Sequence, residues 1–300
     1  MKLVLIANPC SRGAVSEAII AGVRERFEAA RFAVDLYVTR HHEHGLRLLD
    51  GLVLDTYDAV VAMGGDGTNY HVLNGVLNNC AAGQPLPALG IIPVGRGNSF
   101  ARDLNLFSVE DGVNAVIGAC TRPVDVCTFV QDSRTLYFVN LMGFGFVTDV
   151  ACTAARFSRT GDFSYILGVL HRVLGLKTYT LDLDIDGKKI SGPNCFVEFC
   201  NSRYTGGDML MAPDAKIDDG LFDVVVAGPL SRLSLMATLP KLFKGRHGEN
   251  RAVSFYQGRQ ARVQTSPVKD LLPDGEIFGK TPTEIDIRPQ LVNYFYGTST

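Results

Sequence analysis

The sequence lacks three features that would narrow its function at once: a basic surplus, a long apolar run and a pattern of paired cysteines. Its 300 residues include 29 Lys and Arg against 31 Asp and Glu, a formal net charge of −2. This balance gives no electrostatic reason to expect nucleic acid as a partner. The composition, 46% hydrophobic and 20% charged, is typical of a globular protein.

No apolar run approaches the roughly 20 residues that a membrane-spanning helix requires. The best candidate, "YILGVLHRVLGL", is interrupted by His171 and Arg172. The N-terminal "MKLVLIANPC" is too short for the apolar region of a signal peptide, and it turns polar at Asn8. We therefore expect contact with a membrane to be peripheral at most.

Seven cysteines occur without a CxxC pair or a tight Cys/His cluster, which argues against a disulfide scaffold or a zinc site. Reduced thiols in a cytoplasmic protein fit this pattern best. The histidines of "RHHEHG", which are His41, His42 and His44, are more typical of a solvated loop than of a metal site.

The pattern of predicted strands and helices changes near residues 122–126. Before that point, short apolar strands alternate with helical patterns, as in a parallel sheet covered on both faces. After it, strand-like segments with alternating polarity predominate, which predicts an antiparallel sandwich or barrel, and we expect helices only at about 149–158, 163–175 and 231–244. We predict two domains, 1–124 and 125–300, without a flexible linker. Two lobes packed directly together would leave a cleft between them, a common location for an active site.

The stretch "DAVVAMGGDGT" places a glycine-rich corner between a strand ending at Met63 and a helical pattern. Glycines let backbone N–H groups approach an anion, and a helix N-terminus adds unpaired N–H groups and partial positive charge. Asp66 inside such a loop makes sense if a divalent cation bridges it to phosphates. The alternative is a tight strand-to-helix turn in which Asp66 or Thr68 caps the helix.

A second corner, "PVGRGNSFARDL", repeats this arrangement after the next strand, and the turn "NPCSRG" follows the first strand. Loops after adjacent parallel strands open at the same sheet edge, where ligands of open α/β sheets bind. Three loops suited to phosphate on one edge favour a nucleotide site over three ordinary turns.

These three segments resemble, in order and spacing, the catalytic domain of the diacylglycerol kinase and sphingosine kinase superfamily, in its bacterial lipid kinase type. The resemblance continues through "FVNLMGFGFVTDV", "GGDMLMAPDAKIDDGLFDVVV" and "LPDGE". It implies an N-terminal NAD-kinase-like α/β nucleotide lobe with a parallel sheet and a C-terminal antiparallel β-sandwich lobe. The active site would lie in the cleft between them, and the last residues could pack back on the first lobe.

The resemblance also implies roles for particular residues. Asp66 would be linked to the catalytic Mg²⁺, directly or through water, and Asp274 would be the general base that takes the proton of a lipid hydroxyl. On its own, "PDGE" is more typical of a hairpin turn, and only the other motifs favour the role of a base. The residues near the nucleotide would be Asn8, Thr39, Gly64, Gly65, Gly67, Thr68, Gly95, Arg96, Gly97, Asn98 and Glu276.

The segment "AKIDDGLFD" resembles a second metal site of bacterial members. Lys216 and Leu221 would supply backbone carbonyls and Asp219 a carboxylate. The alternative is a solvated acidic turn.

Two positions depart from the family's pattern. His71 stands where glutamate is common, and with glutamate there Thr68-x-x-Glu would form a capping box. We hypothesise that His71 faces the nucleotide or substrate and alters specificity or pH dependence, the alternative being a neutral histidine with a local hydrogen bond. Ser99 stands where many members have aspartate. Arg96 would add a cation beside the phosphates if it points inward.

The sequence therefore predicts an ATP- and Mg²⁺-dependent lipid kinase with a diacylglycerol-like acceptor. The basic stretch "KLFKGRHGENR" after an apolar helix could meet anionic headgroups, although an ordinary amphipathic helix would look the same, and exposed strands could pair in a homodimer. One alternative is an NAD kinase or another small-molecule kinase. Another is an inactive nucleotide-binding regulator, which His71 and Ser99 suggest and the retained Asp66 and Asp274 oppose.

Overall fold

A computed structural model of the chain describes residues 1–11, 15–40, 47–80, 83–156, 173 and 175–298. The histidines of "RHHEHG" and almost all of the helix predicted at 163–175 lie outside these residues. Within them, no helix is long and apolar enough to cross a membrane. The chain forms two compact units. Unit 1 contains Met1–Val126, Tyr137–Val139 and Pro289–Thr300, and unit 2 contains Cys127–Leu136 and Asn140–Arg288.

The described helices and strands alternate in the first part of the chain, and strands predominate in the second part, as predicted. The α-helices are α1 (Glu17–Ala29), α2 (Asp66–Asn79), α3 (Ser99–Asp103), α4 (Val109–Ile117), α5 (Phe146–Arg156) and α6 (Arg232–Leu242). Short 3₁₀ turns occupy Leu54–Thr56 and His247–Glu249. The strands are β1 (Lys2–Ala7), β2 (Ala33–Val38), β3 (Ala59–Gly64), β4 (Ala88–Pro93), β5 (Thr121–Gln131), β6 (Arg134–Phe138), β7 (Leu141–Gly145), β8 (Tyr179–Ile185), β9 (Lys188–Asn194), β10 (Phe196–Cys200), β11 (Tyr204–Thr205), β12 (Met209–Leu210), β13 (Phe222–Ala227), β14 (Val253–Gly258), β15 (Gln260–Ser266), β16 (Leu271–Pro273) and β17 (Thr283–Phe295).

Unit 1 is built on a parallel sheet in the strand order β2-β1-β3-β4, which confirms the predicted α/β architecture. Five of the six residues of β1 and all six of β3 are buried, as expected for strands covered by helices on both faces. Helix α4 packs directly on β4, since a Cβ on Gly112 would lie 2.6 Å from the carbonyl oxygen of Ile91.

The end of β17 completes this sheet. Tyr294 pairs with Leu89 of β4 in parallel, and its ring packs edge-on against Phe100 at 5.1 Å. The Tyr294 hydroxyl also donates a hydrogen bond to Asn69 Oδ1 of α2 at 3.1 Å. The last strand therefore supports the helices that follow both glycine corners.

The described part of unit 2 contains two large antiparallel sheets and the short pair β11-β12, which confirms the predicted β-rich second half. In the first, β15 pairs with β8 and with the first part of β17, and β8 pairs with β9. Strands β8 and β15 alternate buried and exposed residues, so this sheet has one solvated face. The second sheet has the order β14-β13-β10-β7-β16, and β7, β10 and β13 are buried throughout.

One face of this second sheet carries a large apolar cluster to which α5 and α6 contribute. Its members are Leu141, Phe146, Val150, Val173, Cys195, Phe196, Cys200, Met211, Ala212, Ala215, Val225, Ala227, Leu230, Leu235, Leu242 and Val253. Side chains alternate along β10, so Glu198 lies on the same face as Phe196 and Cys200. Glu198 is 4% exposed and pairs across the sheet with Gly143, where a Cβ would lie 2.9 Å from the Glu198 Cγ.

Burial in this apolar face raises the pKa of Glu198 to about 8. The carboxyl is therefore protonated at neutral pH in the folded state, whereas in the unfolded chain it ionises near its ordinary pKa of about 4.3. At any pH between these two pKa values, unfolding therefore releases the proton from Glu198. The contribution of Glu198 to stability is thus fully present at low pH and is lost as the pH rises toward 8.

We expect Glu198→Gln to remove this dependence, because a neutral amide needs no proton. Its free energy of unfolding, measured by urea denaturation, should rise relative to wild type as the pH increases from 5 to 8. The difference should grow by on the order of 1 kcal/mol per pH unit. Glu284→Gln, at a side chain that is 60% exposed, is the matched control and should follow the wild type. Parallel curves for wild type and Glu198→Gln would contradict the raised pKa.

Candidate functional site

The predicted nucleotide residues of unit 1 follow the carboxyl ends of four parallel strands. Asn8 follows β1, Thr39 follows β2, Gly65 follows β3, and Gly95 comes shortly after β4. Because these strands run side by side in one direction, the residues meet at a single edge of the sheet. The structure therefore brings together the three loops that the sequence singled out.

Asn8 connects the first loop to the glycine corner. Its Nδ2 donates to Thr68 Oγ1 at 3.1 Å, and its Oδ1 accepts from the Cys10 amide at 3.0 Å. Thr39 is buried, and its amide donates to the Ala7 carbonyl at 2.8 Å. Both side chains thus lie where β1 and β2 lead into their loops.

The glycines of the two corners permit close backbone contact. A Cβ on Gly95 would lie 2.4 Å from the Gly65 Cα, and a Cβ on Gly64 would lie 2.2 Å from Thr68 Oγ1. A side chain at position 95 would therefore force the two loops apart, whereas one at position 64 would displace Thr68 within the first corner. The absence of side chains is therefore explained in part by packing of one loop on the other.

Asp66 joins the same two loops through its carboxylate. Oδ2 accepts from the Ser99 amide at 3.0 Å, and Oδ1 accepts from the Phe100 amide at 3.2 Å. Burial raises the pKa of Asp66, and these amide hydrogen bonds oppose that rise. Asp66 therefore caps α3, the helix after the second corner.

Helix α2 begins at Asp66 with Gly65 as its N-cap, which carries no side-chain cap. The expectation that a residue at position 71 would complete a capping box with Thr68 is wrong, because Thr68 is already the third residue of the helix. His71 lies in the second turn, half-buried, with its ring edge-on to Tyr70 at 5.5 Å. Gly67 lies in the first turn, where its amide belongs to the unpaired N–H groups of the helix start.

Asn98 fixes the shape of the second corner. It adopts a left-handed conformation with φ 51° and ψ 42°, which Asn tolerates better than most residues. Its Oδ1 accepts from the Gly95 amide at 2.9 Å and its Nδ2 donates to the Gly95 carbonyl at 3.0 Å. Gly97 lies inside this closed turn, and Arg96 is exposed on it.

Asp274 lies in unit 2, in a tight turn after β16. Asp274 and Gly275 have φ of 46° and 85°, and the Glu276 amide donates to the Pro273 carbonyl at 2.8 Å. The "PDGE" segment is therefore a turn, as the local signal predicted. Asp274 is only 2% exposed, and its Oδ1 accepts from the amides of Asn140 at 2.9 Å and Leu141 at 3.1 Å.

A buried polar network extends from this aspartate. The Asn140 carbonyl accepts from the amides of Asn201 and Ser202, and the Ser202 hydroxyl donates to Asn140 Oδ1. Both Asn201 and Ser202 are fully buried. No role was predicted for Asn201, Ser202 or Glu198, although polar residues within and after the apolar run "CFVEFC" were a usable signal.

The segment predicted as a second metal site forms a turn before β13. Lys216 and Asp219 are exposed, and Asp219 Oδ1 accepts from the Leu221 amide at 3.1 Å. Burial, together with the neighbouring charges of Asp219 and Asp214, raises the pKa of Asp223 to about 6. Among the residues that the structure describes, no group of three Asp, Glu, His or Cys side chains is placed to hold a metal ion.

The two units match two known domain types. Residues 2–129 match the family model described as diacylglycerol kinase catalytic domain, and residues 141–296 match the YegS C-terminal NAD kinase beta sandwich-like domain. A diacylglycerol kinase of Bacillus subtilis (strain 168) is 26% identical over 284 residues, covering 93% of this chain and 91% of that protein. A diacylglycerol kinase from Staphylococcus haemolyticus (strain JCSC1435) is 28% identical over 282 residues, covering 93% of this chain and 83% of that protein.

The fold has a close counterpart among solved structures. The crystal structure of a diacylglycerol kinase from Bacillus anthracis str. Sterne superposes with a TM-score of 0.81 at 22% identity, covering 99% of this chain and 97% of that one. The family matches and the relatives named diacylglycerol kinase identify the chain as a lipid kinase, an enzyme class that uses ATP. The chain belongs to the diacylglycerol kinase family.

Gly95→Ala tests the contact between the two corners. The added methyl group would meet the Gly65 backbone, which cannot rotate away, so we expect a loss of stability of about 1–3 kcal/mol and weaker ATP binding. Thermal unfolding and calorimetric titration with ATP measure the two effects. Gly22→Ala is the control, because a Cβ there has no neighbour within 4 Å. Equal ATP affinity in Gly95→Ala and wild type would contradict the need for this contact.

Proposed function

We propose that this lipid kinase transfers the γ-phosphoryl group of ATP to the free hydroxyl of diacylglycerol, with Mg²⁺ as the metal cofactor. The observation that carries the proposal is the length of the match. Relatives named diacylglycerol kinase align with 93% of the chain, a span that includes the glycine corners of unit 1 and Asp274 of unit 2.

In this proposal, the sheet edge of unit 1 holds the triphosphate. The start of α2 offers backbone N–H groups and the positive end of the helix dipole to an anion. The closed turn between Gly95 and Asn98 forms the opposite wall. Asn8, Thr39, Gly64, Gly65, Gly67, Thr68, Gly97 and Glu276 are the other residues that we assign to the nucleotide. Arg96, exposed on its turn, would add a mobile cation for the phosphates.

Asp66 is the residue that fits Mg²⁺ best at this edge. Magnesium is commonly held by one or two carboxylates together with substrate phosphates and water, so a cage of three protein ligands is not required. The Asp66 oxygens accept from the amides of Ser99 and Phe100, and the backbone amides of Asp66 and Asn98 also stabilise the carboxylate. Bound there, the ion would neutralise charge on the phosphates. Asp66 would meanwhile keep the two loops in register.

Asp274 is the proposed general base. Its carboxylate would take the proton of the lipid hydroxyl as that oxygen forms a bond to the γ-phosphorus. The bond between the γ-phosphorus and the bridging oxygen breaks, and ADP leaves. Because phosphoryl transfer depends mainly on alignment, a base held rigidly by the amides of Asn140 and Leu141 suits the reaction.

The turn at Lys216, Asp219 and Leu221 is a proposed second cation site, remote from the phosphoryl transfer. A cation there would offset the repulsion among Asp214, Asp219 and Asp223 that contributes to the raised pKa of Asp223. We also infer that the enzyme works in the cytoplasm at a membrane surface. A homodimer formed through exposed strands stays a prediction, which sedimentation would measure.

The main alternative is a kinase for a soluble acceptor such as NAD. The two functions separate cleanly, because a soluble acceptor would be phosphorylated without detergent or vesicles. An inactive regulator would bind ATP and phosphorylate neither acceptor.

Asp274→Asn is the direct test of the proposed mechanism. Asparagine keeps the Oδ1 acceptor for the two amides, so the turn should survive while the proton acceptor is lost. We expect kcat for diacylglycerol in mixed micelles to fall by about 10²–10⁴-fold, with ATP affinity nearly unchanged. Labelled ATP and lipid extraction measure the rate.

The control for this test is Asp270→Asn, at a half-exposed aspartate just before β16 that pairs with Lys280 at 3.5 Å. It should retain the wild-type rate. Wild-type turnover in Asp274→Asn would remove Asp274 from the mechanism, and absence of labelled lipid with the wild-type enzyme would remove the acceptor class.

A further inference from the structure

Helix α6 is apolar on two opposite sides. Leu235 and Leu242 point inward and are buried in the apolar cluster of the second sheet. Leu233, Met236 and Phe243 point outward and are 81%, 46% and 55% exposed. Their spacing of three and seven residues places them on one stripe of the helix surface.

Three large apolar side chains grouped on the exposed side of a helix are unusual. Single apolar side chains on a protein surface are ordinary, whereas several grouped together mark an interaction surface. A surface helix of a globular protein would normally carry polar residues on its outer side. Here the outer side keeps large apolar side chains in water.

Positive charge surrounds the stripe. Residues 231–251 contain five Lys and Arg but only one Glu, a net charge of +4, so the rest of the chain carries −6 against the overall −2. Glu249 pairs with Lys241 at 3.0 Å and with Arg246 at 2.5 Å. Arg232 and Lys244 are exposed at the two ends of the helix. The arrangement is an apolar stripe with cations at both ends.

We propose that the outer side of α6, defined by Leu233, Met236 and Phe243 with Arg232 and Lys244, docks the enzyme on a bilayer that contains anionic lipid. This inference rests on the proposed function, since it concerns how the enzyme reaches its acceptor. Interfacial helices bury an apolar side among acyl chains while Lys and Arg reach the headgroups. Each basic residue near an anionic surface adds to the attraction.

The inner side of α6 connects this surface to the proposed base. Leu235 and Leu242 belong to the same apolar cluster as Leu141, whose amide holds the Asp274 carboxylate. Docking through the outer side would therefore hold the sheet that carries Leu141 and Asp274 in a fixed position relative to the membrane that contains the lipid. Because Leu235 and Leu242 pack into that cluster, the position of the helix relative to the sheet is fixed, as it would not be at the end of a flexible linker.

The test uses the full chain without ATP and measures sedimentation with vesicles. One set contains phosphatidylcholine alone, and the other also contains phosphatidylglycerol. We expect binding to the anionic vesicles that weakens with salt. Leu233→Ser with Phe243→Ser, and separately Arg232→Glu with Lys244→Glu, should each lower the partition coefficient about tenfold or more. Thermal unfolding should be unchanged, because these side chains are exposed.

Two matched controls lie outside the docking surface. Phe107→Ser changes an aromatic side chain that is 64% exposed in unit 1, and Lys189→Glu reverses an exposed charge on β9. Both should bind vesicles like the wild type. Wild-type binding by the α6 variants would overturn the proposal. So would a change from dimer to monomer with vesicle binding intact, because the stripe would then be an interface between copies.

Kinase assays separate this proposal from the proposed function. The α6 variants should phosphorylate a short-chain diacylglycerol dispersed as monomers at the wild-type rate, and should lose rate only on vesicle-embedded diacylglycerol. An equal loss on both substrates would overturn the docking role. Failure of every protein to phosphorylate the monomeric lipid would overturn the acceptor assignment instead, and the vesicle-binding result would still decide the docking surface.

Discussion

The sheet edge of unit 1 that we propose for the nucleotide depends on the close approach of two loops. Gly65 and Gly95 meet backbone to backbone, and the Asp66 carboxylate holds the amides of Ser99 and Phe100 across the same contact. Neither corner keeps its shape without the other, because a side chain would separate the glycines and a missing carboxylate would leave the start of α3 uncapped. The room that we propose for phosphates is therefore a consequence of packing between loops as much as of local backbone freedom.

A similar interaction between a carboxylate and two backbone amides occurs in unit 2. Asp274 also uses its carboxylate to hold two backbone amides of a neighbouring segment, those of Asn140 and Leu141. In both places an acidic residue with a proposed chemical role links two stretches of chain. Rigidity and chemistry then depend on the same atoms, so replacement by the matching amide is more informative than truncation to alanine.

Much of the fold follows from periodicity, and the failures have physical causes. Buried runs and alternating patterns predicted the parallel sheet and strands such as β8 and β15. The pattern did not predict strand β9, "KKISGPN", because Gly192 and Pro193 are poor strand formers. The glycine corners and the "PDGE" turn were predictable as local signals. The contact of Gly65 with Gly95 and the buried network at Ser202 were not, because both join residues far apart in sequence.

Glu198 shows how a buried acid can coexist with a nearby base. It pairs across the sheet with Gly143, two residues along β7 from Leu141, whose amide holds Asp274. An ionised carboxylate there would place an unpaired negative charge inside the apolar face, at a large cost in free energy. Burial among apolar side chains keeps Glu198 neutral at neutral pH instead. The sheet thus carries an acidic residue on the strand next to Leu141, whose amide holds Asp274, and at neutral pH this residue adds no negative charge.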